Sequence, residues 1–232
     1  MTTIAANLQA VHARISAACS AARRPPESVR LIAVGKTWPA ACLREVAACG
    51  QRLFAESYAR EGVEKIRQLA DLPLEWHFIG PLQSNKTRLI AEHFAWAHAL
   101  DRLKIAERLA AQRPASLPPL QVCLQVNVSG EASKSGCTPE EVPVLARAVV
   151  DLPGLRLRGL MTIPEPTDDV ALQRRRFAVL RELLEDINAR FGKDGLTLDT
   201  LSMGMSHDLE AAILEGATMV RIGSAIFGQR RP

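Results

Sequence analysis

Aromatic side chains are scarce in this sequence, which has one tyrosine, three tryptophans and six phenylalanines among 232 residues. Single-stranded nucleic acid is held on aromatic platforms interleaved with basic residues, and so little tyrosine with scattered lysine and arginine excludes that arrangement. Charge of one sign is scarce too. The 29 basic and 25 acidic residues leave a net charge of +4, too small an excess to argue for nucleic acid as a partner. The one basic cluster, Arg174-Arg175-Arg176, falls in a helical pattern and reads as a solvated helix face. No apolar run approaches the roughly 18 residues of a membrane span, so no membrane partner is expected. The five cysteines include no Cys-x-x-Cys pair, which excludes a zinc knuckle and gives no disulfide framework. The five histidines are dispersed, without His-Glu-x-x-His, and no metal site is expected. Gly35-Lys36-Thr37 resembles the end of a phosphate-binding P-loop, but that loop needs a glycine where Arg30 stands.

What the sequence does have is regular alternation. Ile4, Leu8, Val11, Ile15 and Ala18 recur at helical spacing, predicting an amphipathic N-terminal helix over residues 1–22. This pattern is not a signal peptide, so the expected location is the cytoplasm. Strand-like runs then fall near 31–35, 52–56, 75–79, 94–98, 120–127, 156–163, 198–203 and 218–222, with helical patterns between them. Thr138-Pro139-Glu140-Glu141 combines a capping box with a proline at the first helical position and predicts a helix start. Farther on, Phe177, Leu180, Leu184, Ile187 and Phe191 give one apolar face to a long helix. Repeated strand-helix units imply a parallel sheet covered by helices, and this number of units predicts a closed (β/α)8 TIM barrel, an α/β fold. Residues 1–232 read as a single domain.

Sites on such barrels are built at the carboxyl ends of the strands. Collecting those ends gives Lys36; Glu56, Ser57 and Tyr58; His77 with Gly80; Asp101; Asn127; Met161 and Thr162; Ser202, Gly204 and Ser206; then Arg221, Gly223 and Ser224. Lys36 follows the apolar run Leu31-Ile32-Ala33-Val34-Gly35, where partial desolvation favours the neutral amine that attacks a carbonyl. The serines and glycines after strands seven and eight let backbone N–H groups approach an anion, and Ser206 is placed to cap a helix starting at His207. A reactive lysine, a phosphate cradle across the mouth and an arginine between them describe a site for pyridoxal 5'-phosphate. An arginine facing the pyridine nitrogen would weaken the ring as an electron sink. His77 reads equally as a hydrogen-bonded core residue or a neighbour of the cofactor, and Asn127 equally as the organiser of the loop after strand five.

The segments LIAVGKTWP, WHFIGPLQSNK, LQVNVSGEASKSGC, LRGLMTIPEP and LSMGMSHDLEAAILEGATMVRIGSAIFG together resemble the pyridoxal phosphate homeostasis protein family. Its members are single-domain relatives of the alanine racemase barrel, and the resemblance runs from about residue 29 to about residue 228. It implies Lys36 as the Schiff-base lysine, Ser202, Gly223 and Ser224 around the phosphate, and Arg221 toward the ring nitrogen. It implies a cytoplasmic protein that buffers or delivers the cofactor, with apo forms of pyridoxal phosphate enzymes as its recipients. The expected state is a monomer without catalytic turnover. One departure concerns Ser57: the chain has Phe54-Ala55-Glu56-Ser57-Tyr58 where the family has F-G-E-N-Y, so an asparagine contact with the cofactor is altered.

Two other functions use some of the same residues. An amino-acid racemase needs an acid or base on each face of the substrate, with Tyr58, the only tyrosine, as the candidate opposite Lys36. A cofactor-free Schiff-base aldolase would also use a lysine at a strand end and a phosphate site.

Overall fold

The computed structural model describes residues 3–130 and 135–229. The ends of the expected domain, and Lys134 within one of the segments quoted above, lie outside the described residues. The chain opens with α1 (Ile4–Ala21) and continues as β1 (Arg30–Val34), α2 (Ala40–Ala48), β2 (Leu53–Glu56), α3 (Ala59–Gln68), β3 (Glu75–Phe78), α4 (Thr87–His93) and β4 (Trp96–Leu100). The second half runs α5 (Leu103–Gln112), β5 (Leu120–Gln125), α6 (Val142–Val150), β6 (Leu155–Met161), α7 (Val170–Phe191), β7 (Thr200–Ser202), α8 (Leu209–Leu214), β8 (Met219–Ile222) and α9 (Ser224–Phe227). The strands pair in sequence order and close into a parallel barrel through β1 and β8, with Ile32 opposite Arg221. The expected TIM barrel behind an N-terminal helix is therefore the observed fold.

Helix α1 forms where its apolar spacing places it. Thr3 starts it by accepting the Ala6 N–H at 3.2 Å, and Leu8, Val11, Ile15 and Ala18 are buried. The helix also ties down two elements that reach the barrel mouth. Asn7 donates from Nδ2 to Ile226 O at 2.9 Å in α9. Arg14 reaches Glu210 of α8 at 2.7 Å and Ser206 O at 3.0 Å.

Three local expectations are corrected. The fourth strand is Trp96–Leu100 rather than 94–98, because Phe94 ends α4 and packs edge-on against Phe78 at 5.4 Å between centroids. Its apolarity belongs to the layer between strands and helices, two residues before the strand begins. The helix expected at Thr138 starts at Val142. Glu141 does reach back to the Thr138 N–H at 2.8 Å, but the carboxylate closes a turn and not a helical start. Pro143 sits in the first turn of α6, where its missing N–H costs nothing; a helix begun at Thr138 would have put that proline in its interior. The Arg174-Arg175-Arg176 cluster is not merely solvated, since Arg176 pairs with Glu165 at 2.7 Å and donates to Val128 O at 3.1 Å, fastening α7 to the loops after β5 and β6.

Pleating sorts each strand between the barrel interior and the helices. In β3, Trp76 and Phe78 face outward among Phe54 and Phe94, so Glu75 and His77 face the interior. On β4 the same alternation puts Trp96 and His98 inside, with the Trp96 ring stacked on His77 at 5.4 Å. Barrel interiors are usually filled by layers of branched apolar side chains. Here part of the filling is polar, with His77, His98, Ser202 and Arg221 all buried.

Candidate functional site

Strand β1 ends at Val34, and Lys36 follows in a turn at the barrel mouth, half-buried. Thr37 has φ 69°, a left-handed conformation that a β-branched residue adopts only when its surroundings hold it there. Glu61 provides the hold, accepting the Thr37 N–H at 2.6 Å. The same carboxylate meets Lys65 at 2.6 Å, and Lys65 Nζ donates to Gly35 O at 2.7 Å and to Glu56 Oε1 at 2.8 Å. Lys65 and Glu56 are buried between β2 and α3, and burial pushes the Glu56 carboxyl up to about 7 against the opposing pull of Lys65. The backbone on both sides of Lys36 is thus anchored by a buried ion pair behind it.

Across the mouth, the loops after β7 and β8 bring Ser206 and Ser224 to 3.1 Å between hydroxyl oxygens, and the Ala225 N–H points to Ser206 Oγ at 3.3 Å. Ser206 does not cap α8 as expected from its position. The preceding residue of that helix is Asp208, whose carboxylate folds back onto the Met205 N–H at 2.5 Å and leaves Ser206 facing Ser224. Gly223 keeps this approach narrow, because a β-carbon there would come to 3.3 Å from Val34 O.

Arg221 rises from β8 between these two sides. It is 3% exposed, and burial lowers its pKa to about 10. One amino group donates to Ser202 Oγ at 2.8 Å and the other to Thr162 O at 2.9 Å. Below it, Ser202 Oγ lies 2.8 Å from His98 Nδ1, His98 Nε2 lies 2.9 Å from His77 Nδ1, and His77 Nε2 lies 3.0 Å from Glu75 Oε1. Desolvation holds both imidazoles below the usual histidine range, so they are neutral.

A cavity of about 270 Å³ opens at this mouth, at the small end of ligand pockets. Of the residues singled out in the sequence, Lys36, Ser57, Ser206, Arg221, Gly223 and Ser224 line it. Ser202 and His77 do not: Ser202 sits beneath Arg221, and His77 lies deeper on the barrel interior. Ser57 reaches the cavity because Gly80 lets the loop after β3 press against it; a β-carbon at Gly80 would lie 2.1 Å from Ser57 O. Tyr58 is 57% exposed and is not among the lining residues. Asn127 organises the loop after β5, accepting the Gly130 N–H at 3.1 Å.

Sequence reasoning missed Trp38, Ile79, Ile163, Met205 and His207 as walls of the cavity, and His98 as part of the structure below it. Trp38 carried a usable signal, being two residues past Lys36; it stacks on Phe227 at 5.7 Å. Among the described residues no group of histidine, cysteine and carboxylate side chains is placed to hold a metal, and no helix is long and apolar enough to cross a membrane.

The raised Glu56 pKa has a consequence for stability. Between about pH 4.5 and pH 7 the folded chain binds more protons at Glu56 than the unfolded chain, so stability falls as pH rises through that window. Glu56→Gln removes this dependence. The stability of the variant relative to the wild type should therefore rise by about 2 kcal/mol between pH 5 and pH 8 in urea melts. A difference that stays flat with pH would show that Glu56 titrates as an ordinary carboxylate.

Comparison with known proteins agrees with this geometry. The family model for the alanine racemase N-terminal domain matches residues 6–231. A pyridoxal phosphate homeostasis protein of Pseudomonas aeruginosa is 65% identical over 230 residues, 99% of this chain and 97% of the relative. One from Escherichia coli is 53% identical over 236 residues, 99% of this chain and 98% of the relative. Among solved structures, PipY of Synechococcus elongatus with PLP bound has a TM-score of 0.80 at 37% identity, covering 92% of this chain and 100% of that one. An alanine racemase of Clostridium difficile has a TM-score of 0.71 at 16% identity; 97% of this chain matches 56% of that one, which speaks to the fold alone.

Proposed function

Because the chain belongs to the pyridoxal phosphate homeostasis protein family, we propose that it holds pyridoxal 5'-phosphate in the mouth cavity, covalently through Lys36, and buffers or delivers it. The observation that carries this reading is that a lysine amine, a buried arginine and a facing pair of serine hydroxyls line one small cavity. When bound, the cofactor supplies an aldehyde that condenses with a primary amine and a ring that withdraws electrons. The donor set suits it: Lys36 offers the amine, while the hydroxyls of Ser206 and Ser224 and the open backbone at Gly223 suit a phosphate monoester. Arg221 can only donate, so a ring nitrogen meeting it stays unprotonated and the ring remains a weak electron sink. Trp38, Ile79, Ile163 and Met205 give the apolar walls that exclude water from the ring.

This arrangement favours holding over turnover. Racemisation needs a second proton carrier opposite Lys36, and Tyr58 points away from supporting that role because it lies outside the cavity lining. We take the protein to act as a cytoplasmic monomer whose recipients are apo forms of pyridoxal phosphate enzymes. Ser202 acts on the cofactor through Arg221, with its hydroxyl occupied between His98 and the guanidinium.

Borohydride reduction of the loaded protein should fix the cofactor to the peptide that contains Lys36, and Lys36→Ala should abolish the visible absorption band. Adduct found only on Lys86, Lys104 or Lys134 would overturn the assignment.

Charge-assisted hydrogen bonds are worth roughly 1.5–3 kcal/mol each, so Ser224→Ala should weaken pyridoxal phosphate binding about tenfold or more while leaving binding of pyridoxal nearly unchanged. Equal losses for the two ligands would place the phosphate elsewhere.

Serine at position 57 offers a shorter reach than the family's asparagine. Ser57→Asn should tighten cofactor binding by roughly two- to tenfold, chiefly by slowing release, as measured by transfer to an apoenzyme. Unchanged affinity and transfer would mean that residue 57 lines the cavity without touching the cofactor.

A further inference from the structure

The side chains beneath Arg221 form an unbroken line of hydrogen bonds from the mouth of the barrel to its floor. Successive contacts join Arg221 to Ser202 at 2.8 Å, Ser202 to His98 at 2.8 Å, His98 to His77 at 2.9 Å and His77 to Glu75 at 3.0 Å. At the floor, Glu75 also pairs with Arg30 at 2.6 Å. The middle of the line is closed to water: His77, His98 and Ser202 are each 0% exposed.

The carboxylate at the floor dictates where every proton sits. It only accepts, so His77 carries its proton on Nε2 and donates to Glu75. A neutral His77 then has a bare Nδ1, which accepts from His98 Nε2. His98 Nδ1 is bare in turn and accepts the Ser202 hydroxyl proton. The Ser202 oxygen is left to accept, and Arg221, which only donates, closes the sequence without conflict. Had the floor group been able to do both, the order could run either way, because a hydroxyl can accept from both of its neighbours.

We propose that Glu75, His77 and His98 are positioning residues for Arg221, forming a one-way relay in which a floor carboxylate fixes the orientation of the guanidinium at the mouth. The proposal rests on the reading of Arg221 as the group that meets the cofactor ring, but the relay itself is a property of the protein alone. Hydrogen bonds aligned in one direction polarise one another, so the anionic end strengthens the bond at the cationic end. Ser202 shows why direction matters. With its own proton committed to His98, its oxygen lone pairs are left for Arg221. If the line reversed, His98 would donate to the same oxygen, and the guanidinium would share its acceptor. The charged and titratable groups around the two rings are Glu75 and Arg30 at the floor, Arg221 above, Arg158 stacked over Trp96, and Cys123 near Arg221.

Glu75→Gln tests this, because an amide can present either an acceptor or a donor to His77 and so removes the fixed direction while keeping the shape. The measurement is NMR of protein labelled with 15N at histidine and arginine, first without cofactor. In the wild type both buried rings should be neutral with the proton on Nε2, unchanged between about pH 7 and pH 8.5. The Arg221 guanidinium signals should be protected from exchange. In folded Glu75→Gln the two rings should show mixed tautomers and the Arg221 signals should lose protection, while Glu75→Asp should keep the wild-type pattern. A proton on Nδ1 of either ring in the wild type would overturn the relay; wild-type Arg221 protection in Glu75→Gln would overturn the positioning role. Loaded with pyridoxal phosphate, Glu75→Gln should bind about three- to tenfold more weakly and shift the pH midpoint of the visible band by about half a unit. If the wild type bound no cofactor, the function proposed above would fail while the NMR result on the relay stood. If the NMR pattern changed as expected but affinity and midpoint did not, the link from Arg221 to the cofactor would be the part refuted.

Discussion

A guanidinium buried inside a closed barrel must be given acceptors, and much of this interior follows from that need. Arg221 is 3% exposed, and an unpaired charge at that depth would cost several kcal/mol. Thr162 O and Ser202 Oγ take its protons, but a buried hydroxyl needs an acceptor of its own, and so does the histidine that provides one. The demand is passed along until it reaches Glu75, which is half in solvent and already paired with Arg30. That is why polar side chains stand where branched apolar layers would be expected. The aromatic packing is displaced outward, to Phe54, Trp76, Phe78 and Phe94 between strands and helices.

Lys65 solves the corresponding problem outside the barrel. Its ammonium is surrounded by Gly35 O, Glu56 and Glu61, and such a pair contributes conformational definition more surely than net stability. What it defines is the carbonyl immediately before Lys36. Glu61 extends the same cluster to the Thr37 N–H, offsetting backbone strain of about 1–3 kcal/mol at a residue with φ 69°. One buried cation thus fixes the turn that carries Lys36, and another faces that turn across the cavity. Both are held before any ligand arrives, and the entropy of ordering them is not charged against binding.

The barrel was legible in the sequence because its signals were local. Apolar runs, helical spacing in α1 and α7 and small residues after β7 and β8 each reported on a few neighbouring positions. Lys36, Ser57, Arg221, Gly223 and Ser224 could be collected as strand ends without knowing any contact, and they line one cavity. The errors arose where one residue type served two purposes. Phe94 looked like strand and is helix end; Ser206 looked like a helix cap and faces Ser224. His98 was invisible for a different reason. A single histidine inside an apolar strand has no partner in sequence, and its meaning comes from Ser202, 104 positions away, and from His77, 21 positions away. Pairings of that kind are set by barrel closure, which no local pattern encodes.

A store for a reactive aldehyde has to hold it firmly enough to keep it from other amines and loosely enough to give it up. The cavity divides these tasks among different groups. On the proposed reading, covalent attachment at Lys36 would sequester the carbonyl, and the paired hydroxyls opposite would hold an anion that most competing amines cannot offer a site for. Neither element promotes chemistry beyond that attachment, because Arg221 has no proton-accepting form near neutral pH and Tyr58 is turned to solvent. Release would then be governed by the rim, where Ser57 and the exposed His207 line the opening and where the resembled family's pattern has an asparagine in place of Ser57. In an enzyme the same weakening of a contact would cost orientation of the substrate; in a carrier it shortens residence without touching the lysine. On that reading the serine at position 57 is tolerable for the same reason that a weak electron sink is: a task of binding and release asks for neither a second base nor a tightly oriented substrate.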